Sequence, residues 1–557
     1  GFNGSINGGV TFGETPKFNG STDMNYRNGK FNFYGNYGLN SGKQERKGFV
    51  NVTEKGEENN QLFSFDNTTT SNLLKAGVDY YINDSNTLSF YTVQNASDTQ
   101  GNSISNVDFK DPAKQDIIQL YNNDQENYTQ RYDLAYKKKF KKEGHTLEIE
   151  GNFNSTDNTD NATYSTPEIN YITNDGKSSL INLDYTNPLS ETAKLELGLE
   201  SRIENTENIF LLNNAYNSDF IYDRKIYSLY GNYSKKIGKW NLQLGARLED
   251  YNAKAEFRKV NEPNGYFEDN RFTIYPSAFT TYTPNENNSF NFSVSKRVDR
   301  PSIAQINPIR ERSSPQIEFI GNPELEPQFT NSIELNYTRK TKLGSITSGV
   351  FYRRINDEIT RSLFENPNDP QKVILTFDNQ DDNDAYGIEV SGNLEFTKWY
   401  SANISLDAYY RTVKGFYNKT VNGALETFYV EANTTTFNAR ISNTFKASKN
   451  LRFQLTGMYR GEDINITAIS EPMWRVDAGT SLTVLKGKGT ITARVSDVFD
   501  SMQYAFERSE PKEANGQFNW ESQTAFIGFN YLFGSGKNKA LQRKARENNE
   551  VQGGGGF

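Results

Sequence analysis

Residues that could bind an anion lie between two predicted strands, in the segment 299–328. Arg310 and Arg312 flank a glutamate, and Glu318 follows closely. A guanidinium group presents a planar fork of donors that matches a carboxylate or a phosphate. We therefore treat Arg310, Arg312 and Glu318 as candidate contacts for a bound solute. The residue types alone favour the alternative, a solvent-facing charge cluster or a contact inside the protein.

The sequence offers little support for metal or catalytic chemistry. The segment DNQDDND at Asp378–Asp384 has the oxygen ligands of a Ca²⁺ site but lacks the glycine and distal glutamate of an EF-hand loop. A solvated acidic loop is the preferred interpretation. His145 is the only histidine, so neither a multi-histidine metal centre nor a hydrolase triad can be built. We expect no enzyme activity, no metal site and no cofactor.

Strict alternation identifies the elements that must position these residues. From Lys225 to Asp250 the sequence predicts two strands joined by a tight turn at Gly238. On the second strand, apolar residues alternate with amides and charges from Trp240 to Glu249. Successive strand side chains point to opposite faces, so one face is apolar and the other is polar. The apolar face meets a second sheet in a soluble sandwich and lipid in a membrane barrel.

The composition favours the membrane barrel. Only 35% of the 557 residues are hydrophobic, yet the chain contains 33 Tyr and 38 Phe. No apolar run approaches the roughly 18 residues of a membrane helix. A barrel explains this mixture, because only alternate residues contact lipid and aromatic girdles mark both interfaces. The lack of Cys suits an envelope protein, and a net charge of −8 without a concentrated basic face argues against nucleic acid as a partner.

About 22 alternating segments recur along the chain, with ends uncertain by about two to four residues. The strands are predicted near Phe2–Thr11, Phe18–Arg27, Lys30–Leu39, Asn72–Ile82, Thr87–Ala96, Tyr128–Phe140, His145–Asn154, Ser179–Tyr185, Ala193–Glu204, Lys225–Lys236, Trp240–Tyr251, Arg271–Thr283, Ser289–Arg297, Thr330–Lys340, Ser345–Ile355, Tyr386–Phe396, Tyr400–Thr412, Thr435–Lys446, Leu451–Arg460, Trp474–Val484, Gly489–Val498 and Gln523–Phe533.

The connections between these strands alternate in length. Every second one is a tight polar turn, and nearly all the others are long and polar. The long ones are predicted at Ser41–Thr70, Asp98–Asn127, Ser155–Lys177, Asn205–Arg224, Asp299–Gln328, Asn356–Ala385 and Asp500–Ser522. This pattern is typical of a transmembrane antiparallel up-and-down β-barrel with short periplasmic turns and long extracellular loops. An even strand number then places both termini in the periplasm.

Charged residues on the polar faces of two strands must point away from lipid. Glu196, Glu200 and Arg202 oppose a row of leucines, as do Arg247 and Glu249 on a later strand. Lipid does not tolerate such charges, so these residues should face the lumen. A barrel of this size has a lumen too wide for side chains to fill. We expect the charges to meet water, one another or a plug.

Several motifs resemble the barrel of TonB-dependent outer-membrane receptors. They are Gly1–Ser5, WNLQLGARLE at Trp240–Glu249, Arg297 with Arg300-Pro301, Asn307-Pro308, GNPELEP at Gly321–Pro327, YGIE at Tyr386–Glu389 and VSDVFD at Val495–Asp500. The resemblance spans most of the chain and implies active uptake. Outer loops would bind a scarce solute, and a TonB partner energised from the inner membrane would displace an N-terminal plug. No segment resembles a plug or a TonB-binding box, so we expect the plug to precede Gly1 or another element to close the barrel.

The predicted organisation is a barrel over residues 1–533 and a flexible basic, Gly-rich periplasmic tail over 534–557. The barrel would contact outer-membrane lipid and lipopolysaccharide, a plug and TonB, with the lumen charges binding the plug. Two alternatives stay open: a non-transporting structural or assembly subunit with other envelope proteins as partners, and a passive porin. No motif identifies the solute.

Overall fold

The computed structural model describes residues 1–534 except 55, 167, 310, 367–368 and 422–423. Strand makes up 81% of the structure, with almost no helix, which confirms the all-β prediction. No helix among the described residues is long and apolar enough to cross a membrane. Of the tail predicted over 534–557, the structure describes only Gly534, which ends the last strand, and the rest lies outside the described residues.

The described residues form 30 strands, one short α-helix and one 3-10 turn. They are β1 (Phe2–Phe12), β2 (Lys17–Asn28), β3 (Phe31–Glu54), β4 (Glu57–Asn83), β5 (Asn86–Phe109), β6 (Ile117–Lys139), β7 (Thr146–Tyr164), β8 (Ile169–Pro188), β9 (Ala193–Leu212), β10 (Ala215–Ile237), β11 (Trp240–Lys259), β12 (Gly265–Asn285), β13 (Asn288–Asp299), α1 (Ile303–Ile306), β14 (Glu311–Ser314), β15 (Ile317–Phe319), β16 (Gln328–Thr341), β17 (Gly344–Asn356), β18 (Ile359–Asn366), β19 (Asp369–Asn379), β20 (Asn383–Glu395), β21 (Tyr400–Val421), β22 (Ala424–Lys446), β23 (Leu451–Arg460), β24 (Asp463–Ile464), β25 (Ala468–Ser470), β26 (Met473–Val484), the 3-10 turn Leu485–Gly487, β27 (Gly489–Ser496), β28 (Gln503–Arg508), β29 (Glu513–Trp520) and β30 (Thr524–Gly534).

Twenty-two of these strands close into one antiparallel barrel. Neighbours pair in order from β1 to β13, and the ring continues through β16, β17, β20, β21, β22, β23, β26, β27 and β30. It closes where β30 pairs with β1, with Phe533 opposite Gly4. Each predicted strand corresponds to one barrel strand, so the predicted count is confirmed.

Large apolar side chains project outward from the ring. Ile181, Leu199 and Leu244 are 60%, 52% and 62% exposed. A continuous apolar belt on a closed barrel would be unfavourable in water and is the surface that meets lipid. Rings stack at the barrel end that holds the short turns, for example Trp240 on Tyr282 at 4.5 Å. Such aromatic pairs form the girdle at a membrane interface. We call this the turn end and the opposite one the loop end.

Four of the predicted long loops are much shorter in the structure than the sequence predicted. The segment 41–70 is strand almost throughout, because β3 runs to Glu54 and β4 starts at Glu57. The segments 98–127, 155–177 and 205–224 likewise lie mainly in β5 to β10. Beyond the membrane neither strand face needs apolar residues, so the alternation disappears while the ladder of backbone hydrogen bonds continues. The barrel wall therefore extends past the lipid belt at the loop end.

Two true excursions fold inward and cross the mouth of the barrel. We call residues 300–327 and 357–382 the cap; it contains α1, β14, β15, β18 and β19. The cap strand β15 runs parallel to β19, which pairs with β18. The cap reaches the far wall, because Gln61 Nε2 of β4 donates to Gln316 Oε1 at 2.5 Å. β4 lies almost opposite β13, from which the first excursion starts.

The cap has its own apolar core against the inner wall. Its buried members are Phe210, Phe220, Tyr222, Ile226, Tyr251, Ala253, Ala255, Ile306, Ile309, Leu325, Ile359 and Phe377. The wall residues come from β9, β10 and β11, and the rest from the cap. Burial of apolar surface thus holds the cap in the lumen.

A second small sheet stands beside the cap at the loop end. We call β24, β25, β28 and β29 the side sheet. β29 pairs with the outer half of β3, with Phe518 opposite Gly48, and β28 pairs with β29 and β25. The side sheet therefore extends the barrel wall where β2 has ended.

Candidate functional site

A cavity of about 540 Å³ opens at the loop end. Its walls are the outer halves of β3 to β6, the β14–β15 turn and the β18–β19 hairpin of the cap, and the side sheet. Chain segments distant in sequence meet here only because the ring closes and the cap crosses its mouth. Pockets of this size suit small solutes.

One wall of the cavity is aromatic. Phe63 and Phe65 stack with ring centres 6.0 Å apart, and Phe518 lies 5.9 Å from Phe63. Tyr504 and Phe506 of β28 stack at 5.9 Å on the same apolar cluster. Rings arranged in this way can pack against a flat apolar group.

Cationic side chains line the cavity next to this aromatic wall. They are Arg361 of the cap, and Arg508 and Lys512 of the side sheet. Arg508 Nε donates to the main-chain oxygen of Lys512 at 3.0 Å. Burial lowers the pKa of Arg508 to about 10 and also lowers the pKa of Arg361. Arg508 therefore keeps its charge at neutral pH within a largely enclosed site.

Three acidic residues line the cavity, and two of them have cationic partners. The third, Asp111, accepts a hydrogen bond from Ala113 N at 2.9 Å. Glu57 forms an ion pair with Lys114, and Glu58 forms one with Lys110. Among the residues that the structure describes, no carboxylate pairs with Arg508. The cavity can thus accommodate a negatively charged group.

Of the sequence-predicted solute contacts, Glu318 lies next to the cavity-lining Ile317 but does not itself line the cavity. Arg310 lies outside the described residues, and of Arg312 the structure gives only the backbone, paired with Glu318 between β14 and β15. Glu318 is 6% exposed and accepts hydrogen bonds from Lys372 Nζ at 3.3 Å and Asn366 Nδ2 at 3.3 Å. That placement favours a role in holding the cap. Contact of these three residues with solute stays a prediction.

Four predicted lumen charges form one network between β9 and β11. Arg247 Nη2 donates to Glu200 Oε1 at 2.8 Å, and Arg247 Nε donates to Glu249 Oε2 at 3.1 Å. Arg202 Nη2 lies 3.5 Å from Glu200 Oε1. These side chains lie on the faces opposite the outward leucines, so they partner one another across the inner wall.

Arg300 of the cap completes the network. Its guanidinium donates to Glu249, which is 2% exposed, and lies 5.6 Å from the ring centre of Tyr251. This ion pair joins the Arg-Pro motif of the cap to the GARLE motif of β11. Glu196 lies outside the network, with Lys194 Nζ 3.0 Å from its Oε1.

The acidic segment Asp378–Asp384 is a solvated loop only in its middle, where Asp381 is exposed, because its two ends belong to β19 and β20. Asp378 accepts a hydrogen bond from Asn322 Nδ2 at 3.2 Å, and Asp382 pairs with Arg354 at 2.7 Å. Within the described residues, no group of three or more His, Cys, Asp or Glu side chains could hold a metal ion.

The sequence did not predict the aromatic and cationic walls, because their residues lie in segments that were predicted to be loops. Tyr504, Phe506 and Arg508 recur at period two inside the predicted loop Asp500–Ser522, as Phe63 and Phe65 do inside Ser41–Thr70. Short alternation of this kind is a strand signal. Nothing in the sequence indicates that the two segments meet.

The architecture has close counterparts among solved structures. The ferric yersiniabactin uptake receptor FyuA from Yersinia pestis is 11% identical, with a TM-score of 0.65 over 96% of this chain and 80% of that one. The siderophore receptor PiuA from Acinetobacter baumannii is 12% identical, with a TM-score of 0.66 over 95% and 82%. The copper transporter OprC is 10% identical, with a TM-score of 0.64 over 96% and 80%. At these identities the likeness establishes the fold.

The sequence itself supplies the family. Residues 138–531 match the model of the outer membrane protein beta-barrel family. The chain belongs to this family, and its place is the outer membrane. A comparison with curated proteins gives no significant match.

Proposed function

We propose that this chain is the barrel of an outer-membrane receptor that takes up a scarce solute. The observation that carries the proposal is the cavity at the loop end, where the cap and the side sheet enclose a small-solute site above a wide lumen. A passive pore has no need of such a site. The shared fold with receptors and transporters of metals and siderophores supports the same function.

The proposed orientation places the loop end outside the cell and both termini in the periplasm. Capture then occurs at the outer cavity, with Arg310 and Arg312 as proposed solute contacts and Glu318 in a role that holds the cap. By resemblance, a plug domain fills the rest of the lumen and TonB displaces it. We propose no catalytic role for the chain.

The lumen charges are the proposed docking surface for the plug. Glu196 and Arg247 are the more accessible members, since the side chain of Glu196 is 33% exposed and that of Arg247 is 28% exposed. Glu200, Arg202 and Glu249 are buried in the network and would position Arg247. Neutralising Glu196 and Arg247 together should weaken plug capture in a pull-down; unchanged capture would reject this role.

The test of the function is solute depletion by living cells. Cells with the intact gene, a deletion strain and a complemented strain are grown in complex medium, and the remaining small molecules are compared by mass spectrometry. We expect one or a few solutes to be depleted only when the gene is present, and a protonophore to stop the depletion. If the remaining small molecules were the same for all strains, the result would favour the structural subunit. Depletion that continues in the presence of the protonophore would favour a porin.

A further inference from the structure

The cavity combines a guanidinium group, an aromatic wall and unpaired polar atoms, and together these restrict the chemistry of its occupant. Resting on the proposed function, we propose that the solute is a small organic anion with a flat apolar part. Its acidic group binds Arg508, and its apolar part packs on Phe63 and Phe506.

The charge assignment rests on the partners of Arg508. This side chain lines the cavity, and its Nε is engaged with a main-chain oxygen. The described residues supply no carboxylate to the rest of the guanidinium. Charges held in an enclosed site are normally paired, so an anionic group of the solute completes the site.

The neighbouring charges discriminate against a cationic solute. Of the three acids that line the cavity, Glu57 and Glu58 have exposed side chains and are neutralised by Lys114 and Lys110, and Asp111 accepts a hydrogen bond from Ala113 N. The inner wall carries Arg361 and Lys512 in addition to Arg508. A positively charged solute would meet like charges there, at a cost that grows as water is excluded.

The apolar part of the assignment rests on the packing of the aromatic wall. Val50, Val52, Phe63 and Phe518 are each 6% or 7% exposed, so these residues form a firm base. Phe506 lies on this base and borders the cavity. Pre-packed rings recognise flat apolar groups without losing further side-chain freedom.

Two polar atoms on the β4–β5 wall point to a further contact. Gln61 Oε1 and Ser105 Oγ are buried and have no hydrogen-bond partner within the described part of the chain. Both residues line the cavity. Buried polar atoms are normally satisfied, so we assign them to a donor or acceptor group of the solute.

The test measures binding to the full-length protein in lipid nanodiscs by equilibrium dialysis, without energised transport. The probes are naphthalene disulfonate, its neutral analogue naphthalene dimethanol and the non-aromatic ethane disulfonate. We expect saturable binding of the aromatic anion, and weaker binding of both analogues by roughly tenfold or more.

Variants separate the two walls of the site. Arg508→Gln should weaken binding of the aromatic anion by roughly tenfold to a hundredfold and leave binding of the neutral analogue unchanged. Phe506→Leu should weaken the binding of both aromatic probes. Arg460→Gln is the matched control, because Arg460 is an exposed arginine outside the cavity that pairs with Asp463 at 3.4 Å.

The outcomes distinguish this proposal from the receptor function. Equal binding of the anionic and neutral aromatic probes, full affinity in Arg508→Gln, or no saturable binding of the aromatic anion would each overturn the solute class. If Arg508→Gln fails to fold, the relative affinities of the unsubstituted protein for the three probes still decide the solute class. Gene-dependent solute depletion by cells is unaffected by these results, and it alone decides whether the chain is an uptake receptor.

Discussion

Glu249 is the residue on which the interior network converges. It accepts hydrogen bonds from Arg247 at 3.1 Å, from Ser228 Oγ at 3.4 Å and from Tyr275 Oη at 3.4 Å, besides its ion pair with Arg300. Arg300 is 2% exposed, so its charge has no access to bulk water. Removing one partner of such a pair leaves an uncompensated buried charge.

We predict that Glu249→Gln loosens the cap by about 3 kcal/mol. Hydrogen–deuterium exchange of the peptide covering 300–327 measures the effect as faster exchange. Glu196→Gln is the control. The ion pair of Glu196 with Lys194 is partly exposed and contributes about 1 kcal/mol or less to stability. Equal exchange in both variants would show that the ion pair does not hold the cap.

Asp497 in the VSDVFD motif gives a prediction with a defined pH dependence. Burial would raise the pKa of Asp497, but hydrogen bonds from Ser522 Oγ at 2.6 Å, Ser501 N at 3.0 Å and Met502 N at 2.9 Å outweigh it and lower the pKa. A lowered folded-state pKa contributes stability above the unfolded-state pKa of about 3.9. That contribution is lost as the pH falls through the folded-state pKa.

Asp497→Asn should therefore destabilise the segment 497–502 by about 1–3 kcal/mol at pH 7. The difference from the unsubstituted protein should shrink as the pH is lowered below about 4. Local exchange rates at both pH values measure it. Asp500→Asn is the control in the same motif, because Asp500 is exposed. A difference that does not change with pH would rule out the carboxylate as its source.

At the scale of elements, the cap depends on a close approach of two of its turns. Gly321 N donates to the main-chain oxygen of Asn307 at 2.9 Å, and Asn322 N donates to that of Gln305 at 2.7 Å. A Cβ on Gly321 would lie 2.3 Å from the Asn307 oxygen. The NP and GNP motifs, which carry part of the family resemblance in the sequence, therefore contact each other in the structure.

Gly321→Ala should force the turns apart and destabilise the cap by about 1–3 kcal/mol. Exchange in 303–325 should rise while exchange in the barrel strands stays unchanged. Gly38→Ala in β3 is the matched control, because a Cβ there meets no atom within 4 Å. Unchanged exchange in Gly321→Ala would mean that the close contact is not required.

The sequence predicts elements well where lipid imposes a pattern and poorly elsewhere. The alternation from Trp240 to Glu249 is forced by hydrocarbon on one side, and β11 indeed begins at Trp240. The same strand continues to Lys259 without that constraint. Short loop strands such as β15, with three residues, are too brief for any periodic signal, and their partners are set by how the cap folds.

At the scale of the whole molecule, ring closure brings together residues that no local pattern connects. The cavity joins the outer wall near Phe63 to the cap at Arg361 and the side sheet at Arg508. The sequence therefore predicted the class of barrel, and it missed the cavity. The role of the lumen charges stays a prediction. Contacts between segments that are so distant in sequence depend on the number of strands in the ring and on where the cap packs against the inner wall.

The central claim is that alternate residues of each strand face lipid around a closed ring. The chain has no Cys, so single cysteines at Leu242, Gln243 and Leu244 can carry a spin label in lipid bilayers. We expect labels at positions 242 and 244 to collide with oxygen dissolved in the hydrocarbon and the label at 243 to be protected from it. Equal oxygen access at all three positions, or equal access to a water-soluble nickel complex, would contradict the barrel.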